Sequence, residues 1–195
     1  MKLIFATNNQ HKADEIQAVL PPVYKIITLK AAGINIDIPE PHDTLEANAK
    51  EKAVTIYHLT NTACFGEDTG LEVEALNGEP GVRSARYAGD DKLFQNNIEK
   101  LLFHLKDKQN REAQFRTVIC LILEGNIEFF EGICKGRIIA AQKGKEGFGY
   151  DPVFVPEGAE KTFAEMSLEE KNQYSHRRKA VDKLVSFLNQ SEQNL

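Results

Sequence analysis

No stretch of this 195-residue chain approaches the roughly 20 consecutive apolar residues that a membrane-spanning helix requires. The opening Met1-Lys2-Leu3-Ile4-Phe5-Ala6 carries a positive charge and an apolar run, but the run stops at Thr7-Asn8-Asn9. It falls short of the roughly 7–15 residues of a secretory-signal core, so it reads as a first strand and the expected compartment is the cytoplasm. Cysteine is scarce. Cys64, Cys120 and Cys134 form no close pair and no metal-ligand spacing, which argues for buried thiols and against a disulfide frame. Basic charge is not in excess either. With 24 Lys and Arg against 29 Asp and Glu, the net charge of −5 excludes a general nucleic-acid binder, which needs a basic face to displace phosphate counterions. A small anionic substrate remains admissible where cations gather locally, as they do over residues 171–179. No linker rich in Pro, Gly or Ser, no repeat and no low-complexity segment divides the chain.

What is present is an ordinary globular composition, 42% apolar and 27% charged, in a chain long enough to bury a substantial core. Residues 2–6 read as a strand, His11 to Leu20 as a short helix stopped by Pro21-Pro22, and residues 24–29 as a second strand. Asp43 or Thr44 caps the next helix, whose apolar face is Leu45, Ala49, Ala53 and Ile56. Thr62 to Phe65 is a strand running into Glu67-Asp68, and a further helix starts near Asp90 with the stripe Phe94, Ile98, Leu101, Leu102 and Leu105. Phe115 to Leu123 and Ile127 to Ile139 are β-rich runs joined at Glu124-Gly125-Asn126, a hairpin signal. A short strand is expected at Val153 to Val155, a helical turn opening at Ser167 with Glu170, and a last helix capped by Ser175 and buried through Val181, Leu184, Phe187 and Leu188. The tail, residues 189–195, is polar and expected to fray. The fold class that follows is a single α/β domain over residues 1–195, with a mixed sheet and two lobes about a cleft.

Four segments carry chemistry. Thr7-Asn8-Asn9-Gln10-His11-Lys12 joins the first strand to the first helix, where free N–H groups and partial positive charge suit an anion. It lacks the glycines and the Gly-Lys-Ser/Thr ending of a Walker loop. Glu67-Asp68 ends a buried strand. Adjacent carboxylates on a strand point to opposite sides, so a turn at Thr69-Gly70 is expected to bring them to one magnesium ion, with Glu40 as a third carboxylate in a loop between prolines. Gly147-Phe148-Gly149-Tyr150-Asp151 places a ring between glycines, which lets a flat base approach, with a hydroxyl and a carboxylate beside it. His176-Arg177-Arg178-Lys179 puts four basic residues at a helix start, where the dipole disfavours them, and so invites a functional explanation. Each has an ordinary alternative: a capped turn, an exposed acidic turn, an inward-folded aromatic, a solvated basic helix end.

Five motifs fall in one order: Thr-x-Asn-x-x-Lys at 7–12, Glu-Asp-Thr-Gly-Leu at 67–71, Pro80-Gly81 before Ser84-Ala85-Arg86-Tyr87, Gly-Phe-Gly-Tyr-Asp-Pro at 147–152, and Ser-His-Arg at 175–177. This set resembles the inosine/xanthosine triphosphate pyrophosphatase family of house-cleaning enzymes, from residue 1 to about 188. The resemblance implies Mg²⁺-dependent hydrolysis of ITP, dITP and XTP to the monophosphate and pyrophosphate, removing deaminated purines from the nucleotide pool. It also implies a homodimer with a long curved sheet. By motif match, Asp68 is the metal-linked general base, with Glu40 and Glu67 in the metal site. Thr7, Asn8, Asn9, Gln10, His11, Lys12 and Lys52 hold phosphates, and Thr69 adjoins the sugar-phosphate. Phe148, Gly149, Tyr150 and Asp151 hold base and ribose, while Lys171, His176 and Arg177 complete the base pocket. Two departures stand out: Glu67 where many bacterial members have aspartate, and Thr69 where serine is more usual. The partners expected are a nucleoside triphosphate and a second copy of the chain, with neither nucleic acid nor membrane. A catalytically silent nucleotide sensor, or an enzyme of the same fold acting on a modified pyrimidine triphosphate, are the competing readings.

Overall fold

The structure, a computed structural model, describes residues 1–89 and 93–193, with backbone alone at 192 and 193. Twelve regular elements follow in chain order: β1 (Lys2–Phe5), α1 (Gln10–Val19), β2 (Lys25–Thr28), α2 (Leu45–Thr60), β3 (Cys64–Val73), β4 (Pro80–Gly81), α3 (Phe94–His104), β5 (Glu112–Leu123), β6 (Asn126–Ile138), β7 (Phe154–Pro156), α4 (Leu168–Asn172) and α5 (His176–Gln193). Short 3₁₀ turns fill several of the connections. The helix start expected near Asp90 lies outside the described residues. Among the described residues, no helix is long and apolar enough to cross a membrane.

Local chemistry explains where elements begin and end. The Thr44 hydroxyl accepts from the Ala47 N–H at 3.2 Å, satisfying one of the orphan donors at the start of α2. Asn61, at φ 47°, ends α2 in the left-handed conformation that short amides tolerate. Leu45, Ala49, Ala53 and Ile56 are at most 2% exposed, as their helical spacing requires. Glu124 and Gly125 both take positive φ and turn β5 into β6. α5 continues to Gln193, and the Tyr24 hydroxyl donates to Asn189 Oδ1 at 2.6 Å.

The strands form one mixed sheet in the order β2-β1-β3-β5-β6-β7, with β4 paired to β3. β1 is parallel to both β2 and β3, whereas β4 and β7 run antiparallel to their neighbours. β3 is longer than its apolar content suggests. It runs unbroken from Cys64 through Glu67-Asp68-Thr69-Gly70 to Val73, so the turn expected at Thr69-Gly70 does not form. Gly70 serves the sheet instead: a Cβ there would meet the Gly81 carbonyl oxygen at 2.6 Å, so only glycine lets β4 lie alongside.

The chain divides into two compact units, passing from one to the other within β3, β5 and β6 and between His176 and Arg177. The first comprises residues up to Asp68, Thr117–Gly132 and those from Arg177 onward. Its core joins Leu3, Phe5, Ile16, Phe65, Leu121 and Leu184, with Phe5 and Phe65 stacked at 4.5 Å. The second comprises Thr69–Arg116 and Ile133–His176. Its core joins Leu71, Leu101, Phe115, Tyr150, Phe154 and Phe163.

Candidate active site

In the first unit, β1 lies between β2 and β3; α1 leads to β2 on one side and α2 leads to β3 on the other. The strand order reverses at β1, and open α/β sheets bind ligands beyond the carboxyl ends of strands at such a reversal. Two expected segments sit there. Residues 7–12 leave the end of β1, and Glu67 lies two residues beyond Phe65, the partner of Phe5 at the end of β1.

The 7–12 loop is built as a helix entry. Asn9 Oδ1 accepts from the Lys12 N–H at 3.2 Å, and Thr7 Oγ1 accepts from the Asn9 N–H at 3.1 Å. Asn8 Nδ2 donates to the Ile36 carbonyl at 2.9 Å, tying the loop to the segment after β2. Gln10 pairs with Asp14 at 2.7 Å, and His11 is exposed. A cavity of about 450 Å³ opens beside the loop, walled by Thr7 to Gln10 on one side and by Thr28, Lys30 and Asn35 on the other.

Because β3 stays extended, Glu67 and Asp68 point to opposite faces of the sheet. Asp68 faces α2. Its Oδ1 accepts from Lys52 Nζ at 3.1 Å and its Oδ2 from Asn48 Nδ2 at 3.3 Å. Lys52 Nζ also donates to the Glu67 carbonyl at 3.0 Å and pairs with Glu40. Of the three carboxylates predicted for a metal, Asp68 and Glu40 share the Lys52 ammonium, whereas Glu67 points its side chain elsewhere. The approach depends on Gly66, where a Cβ would meet the Ala49 carbonyl oxygen at 2.1 Å and Lys52 Cβ at 2.8 Å. Burial pushes the Asp68 carboxyl above the usual carboxylate range; Lys52 and Lys12 oppose the rise, while Glu40 and Glu67 add to it. Burial works against the Lys52 charge as well, but Asp68 and Glu40 outweigh it and hold the ammonium above its ordinary value.

Glu67 faces α1 and α5. Oε2 meets Lys12 Nζ at 2.5 Å, while Oε1 accepts from Arg177 Nε at 3.2 Å and Nη2 at 3.0 Å. The third guanidinium nitrogen, Nη1, pairs with Glu15. All four charges are buried or nearly so, and the two carboxylates drive the Arg177 pKa further up against the cost of burial. Arg177, assigned by resemblance to a base pocket, thus has its guanidinium in the first unit, on Glu67 and Glu15.

The second unit holds Phe148 to Asp151, Lys171 and His176, which the resemblance assigns to base and ribose. Gly147 and Gly149 take φ 74° and 61°, and between them Phe148 is half-buried. Asp151 Oδ2 organises the turn, accepting from the Phe148 N–H at 2.9 Å and from Lys171 Nζ at 2.6 Å. A Cβ at Gly147 would strike that same oxygen at 2.1 Å, so the turn demands glycine for space as well as for φ. The Lys171 ammonium lies 5.4 Å from the Phe148 ring centroid and 5.2 Å from that of Phe163. Tyr150 is a core residue whose hydroxyl donates to the Ser84 carbonyl at 2.9 Å. His176 is 2% exposed and stacks on Phe115 at 4.7 Å and 15°. Thr69 is half-buried on β3.

Two polar residues here escaped the sequence reading. Asn48 is fully buried: its Oδ1 accepts from the His42 N–H at 3.0 Å, and its Nδ2 donates to the His42 carbonyl at 3.1 Å as well as to Asp68. It so ties the loop carrying Glu40 to the Asp68 carboxylate. Its signal was a lone amide on the helical face of Leu45, Ala49 and Lys52. Glu15, beside Ile16 on α1, gave no comparable signal, because its pairing with Arg177 spans 162 positions of the chain.

A buried carboxylate and lysine centre at a strand-order reversal, with a capped helix-entry loop beside it, defines a mixed α/β protein with a polar centre of the kind that takes an anionic ligand. Sequence comparison makes this particular. The chain belongs to the Ham1 family, which it matches over residues 3–187. It is 51% identical over 187 residues to the dITP/XTP pyrophosphatase of Flavobacterium psychrophilum, covering 96% of this chain and 98% of that one. The Flavobacterium johnsoniae dITP/XTP pyrophosphatase is 52% identical over 188 residues, at 96% and 98% coverage. Among solved structures, the Staphylococcus aureus Ham1 protein superposes with a TM-score of 0.88 at 39% identity, over 98% of this chain and all of that one.

Proposed function

We propose that this chain hydrolyses non-standard purine nucleoside triphosphates, ITP, dITP and XTP, to the monophosphate and pyrophosphate. The observation that carries the proposal is the Lys52 ammonium held by Asp68, Glu40 and the Glu67 carbonyl, with the Asp68 carboxyl raised by burial. A raised carboxyl sits nearer the pH at which it must take and release a proton, as a general base does. Asp68 accepts the proton of the attacking water, and Lys52 and Lys12 supply positive charge for the triphosphate. The 7–12 loop adds backbone N–H groups for the phosphates.

The donor set suits Mg²⁺. Glu40 and Asp68 are hard oxygen donors already gathered about one cation, and magnesium takes a carboxylate or two with water and phosphate filling the rest. Glu67 suits it less, since both its oxygens are engaged by Lys12 and Arg177. When bound, the metal supplies charge neutralisation at the phosphates and a lowered water pKa. Phe148 offers its ring to the base, a contact worth about 1–3 kcal/mol by analogy with single-stranded stacking. Hypoxanthine and xanthine carry a carbonyl at position 6 where adenine carries an amine. A buried mismatch with donors there costs about 1–3 kcal/mol per group, or roughly 10- to 100-fold.

The deciding experiment measures pyrophosphate from ITP, XTP, dUTP, GTP and ATP with Mg²⁺. Release from ITP and XTP well above the others is expected; release from none, or from dUTP alone, overturns the proposal. The homodimer and the cytoplasmic location belong to the same reading. Light scattering at working concentration should give twice the chain mass.

A further inference from the structure

α3 carries a stripe that outruns its core. Ile98, Leu101 and Leu105 are at most 2% exposed, but Phe94, one turn earlier on the same face, is 40% exposed. Its ring lies beside Phe148, with centroids 6.1 Å apart and planes tilted by 44°. At that angle the rings are tilted, neither parallel nor edge-on, so Phe94 braces the Phe148 ring without occupying the parallel position a flat base would take. The neighbouring residue makes a second tie: Gln95 Oε1 accepts from Gln142 Nε2 at 3.2 Å, joining α3 to the stretch leading into the glycine turn.

Gly147 and Gly149 make the Phe148 backbone permissive. Asp151 restrains it only at the main-chain N–H, and the Lys171 ammonium approaches the ring from 5.4 Å. The ring's orientation therefore depends on what it packs against. We infer that Phe94 is a positioning residue for Phe148, setting the angle of the ring that receives the purine and forming the outer edge of that surface. This inference rests on the nucleotide reading above.

Phe94→Ala should raise KM for ITP by about 2- to 10-fold, the loss of an aromatic pair, with kcat within about twofold. Phe94→Tyr, which keeps the ring, should restore KM. Inhibition by inorganic tripolyphosphate, which has phosphates but no base, should be the same in wild type and Phe94→Ala. The chain contains no tryptophan, so Phe94→Trp is a single reporter whose emission should change when IMP is added. An unchanged KM in Phe94→Ala, a parallel loss of tripolyphosphate inhibition, or Phe94→Trp emission indifferent to IMP would each overturn the inference. Wild type that releases no pyrophosphate from ITP would instead overturn the proposed function, and the IMP titration would still decide whether Phe94 borders a base.

Discussion

Asp68 and Arg177 are both buried charges, and their surroundings give them opposite fates. Asp68 is raised chiefly by burial, so its ionised form, the one the proposed general base requires, is lost earlier on acidification than an ordinary carboxylate's. In the metal-free protein the Asp68 carboxyl is therefore expected to titrate above the usual carboxylate range, and an ordinary value in an NMR titration would show that burial does not govern it. For stability, the folded state holds this proton more tightly than the unfolded chain does. The group's contribution is thus most favourable at low pH and declines as pH rises from the ordinary value through the raised one. Asp68→Asn should lower turnover by roughly 10²–10⁴-fold while the protein still melts cooperatively, since Lys52 keeps Glu40 as partner. Arg177 is the reverse case, a cation fixed by Glu67 and Glu15. Arg177→Met takes the guanidinium away from two buried carboxylates, leaving Glu67 to Lys12, and should cost about 3–5 kcal/mol in urea denaturation. A variant as stable as wild type would show that the cluster does not hold the first unit together.

At the scale of elements, β3 and α2 make the site between them. An extended strand sends Glu67 to one face and Asp68 to the other, which assigns one carboxylate to Arg177 and Lys12 and the other to Lys52 and Asn48. The closeness of α2 rests on Gly66. Gly66→Ala would press a methyl group into the Ala49 carbonyl and force α2 outward with Lys52 and Asn48 on it. A loss of about 1–3 kcal/mol is expected, together with a fall in ITP turnover larger than any stability change explains. Chemical denaturation beside the pyrophosphate assay separates the two effects. Retained activity would mean that α2 can shift without disturbing the centre.

For the whole molecule, a net charge of −5 coexists with a site meant for a polyanion because the cations are placed, not numerous. Lys12 and Lys52 stand where acidic side chains converge, and each is balanced by carboxylates. A substrate carrying roughly four negative charges needs more than two lysines, so chelation of divalent metal is expected to abolish pyrophosphate release and Mg²⁺ to restore it. Turnover unaffected by chelator would exclude the metal.

Much of this was written in one dimension. The apolar spacing of α2, the Thr44 cap and the turn at Glu124-Gly125 depend on neighbours a few residues away, and the structure places them as read. The Asn9-capped entry to α1 and the glycine-flanked turn at Phe148 also form, since their signals are local backbone chemistry. The reach of β3 through Thr69-Gly70 was not legible, because the strands beside it, β4 and β5, come alongside only in the folded chain. Nor were the roles of Arg177, Glu15 and Asn48: a charge or amide reveals its use only once burial removes water and names its partner. Sequence alone therefore determined which groups and elements the protein has, since propensity and capping act over a single helical turn. Tertiary structure decided which carboxylate serves which cation, because that choice is made by contacts more than a hundred residues apart, such as Arg177 with Glu67.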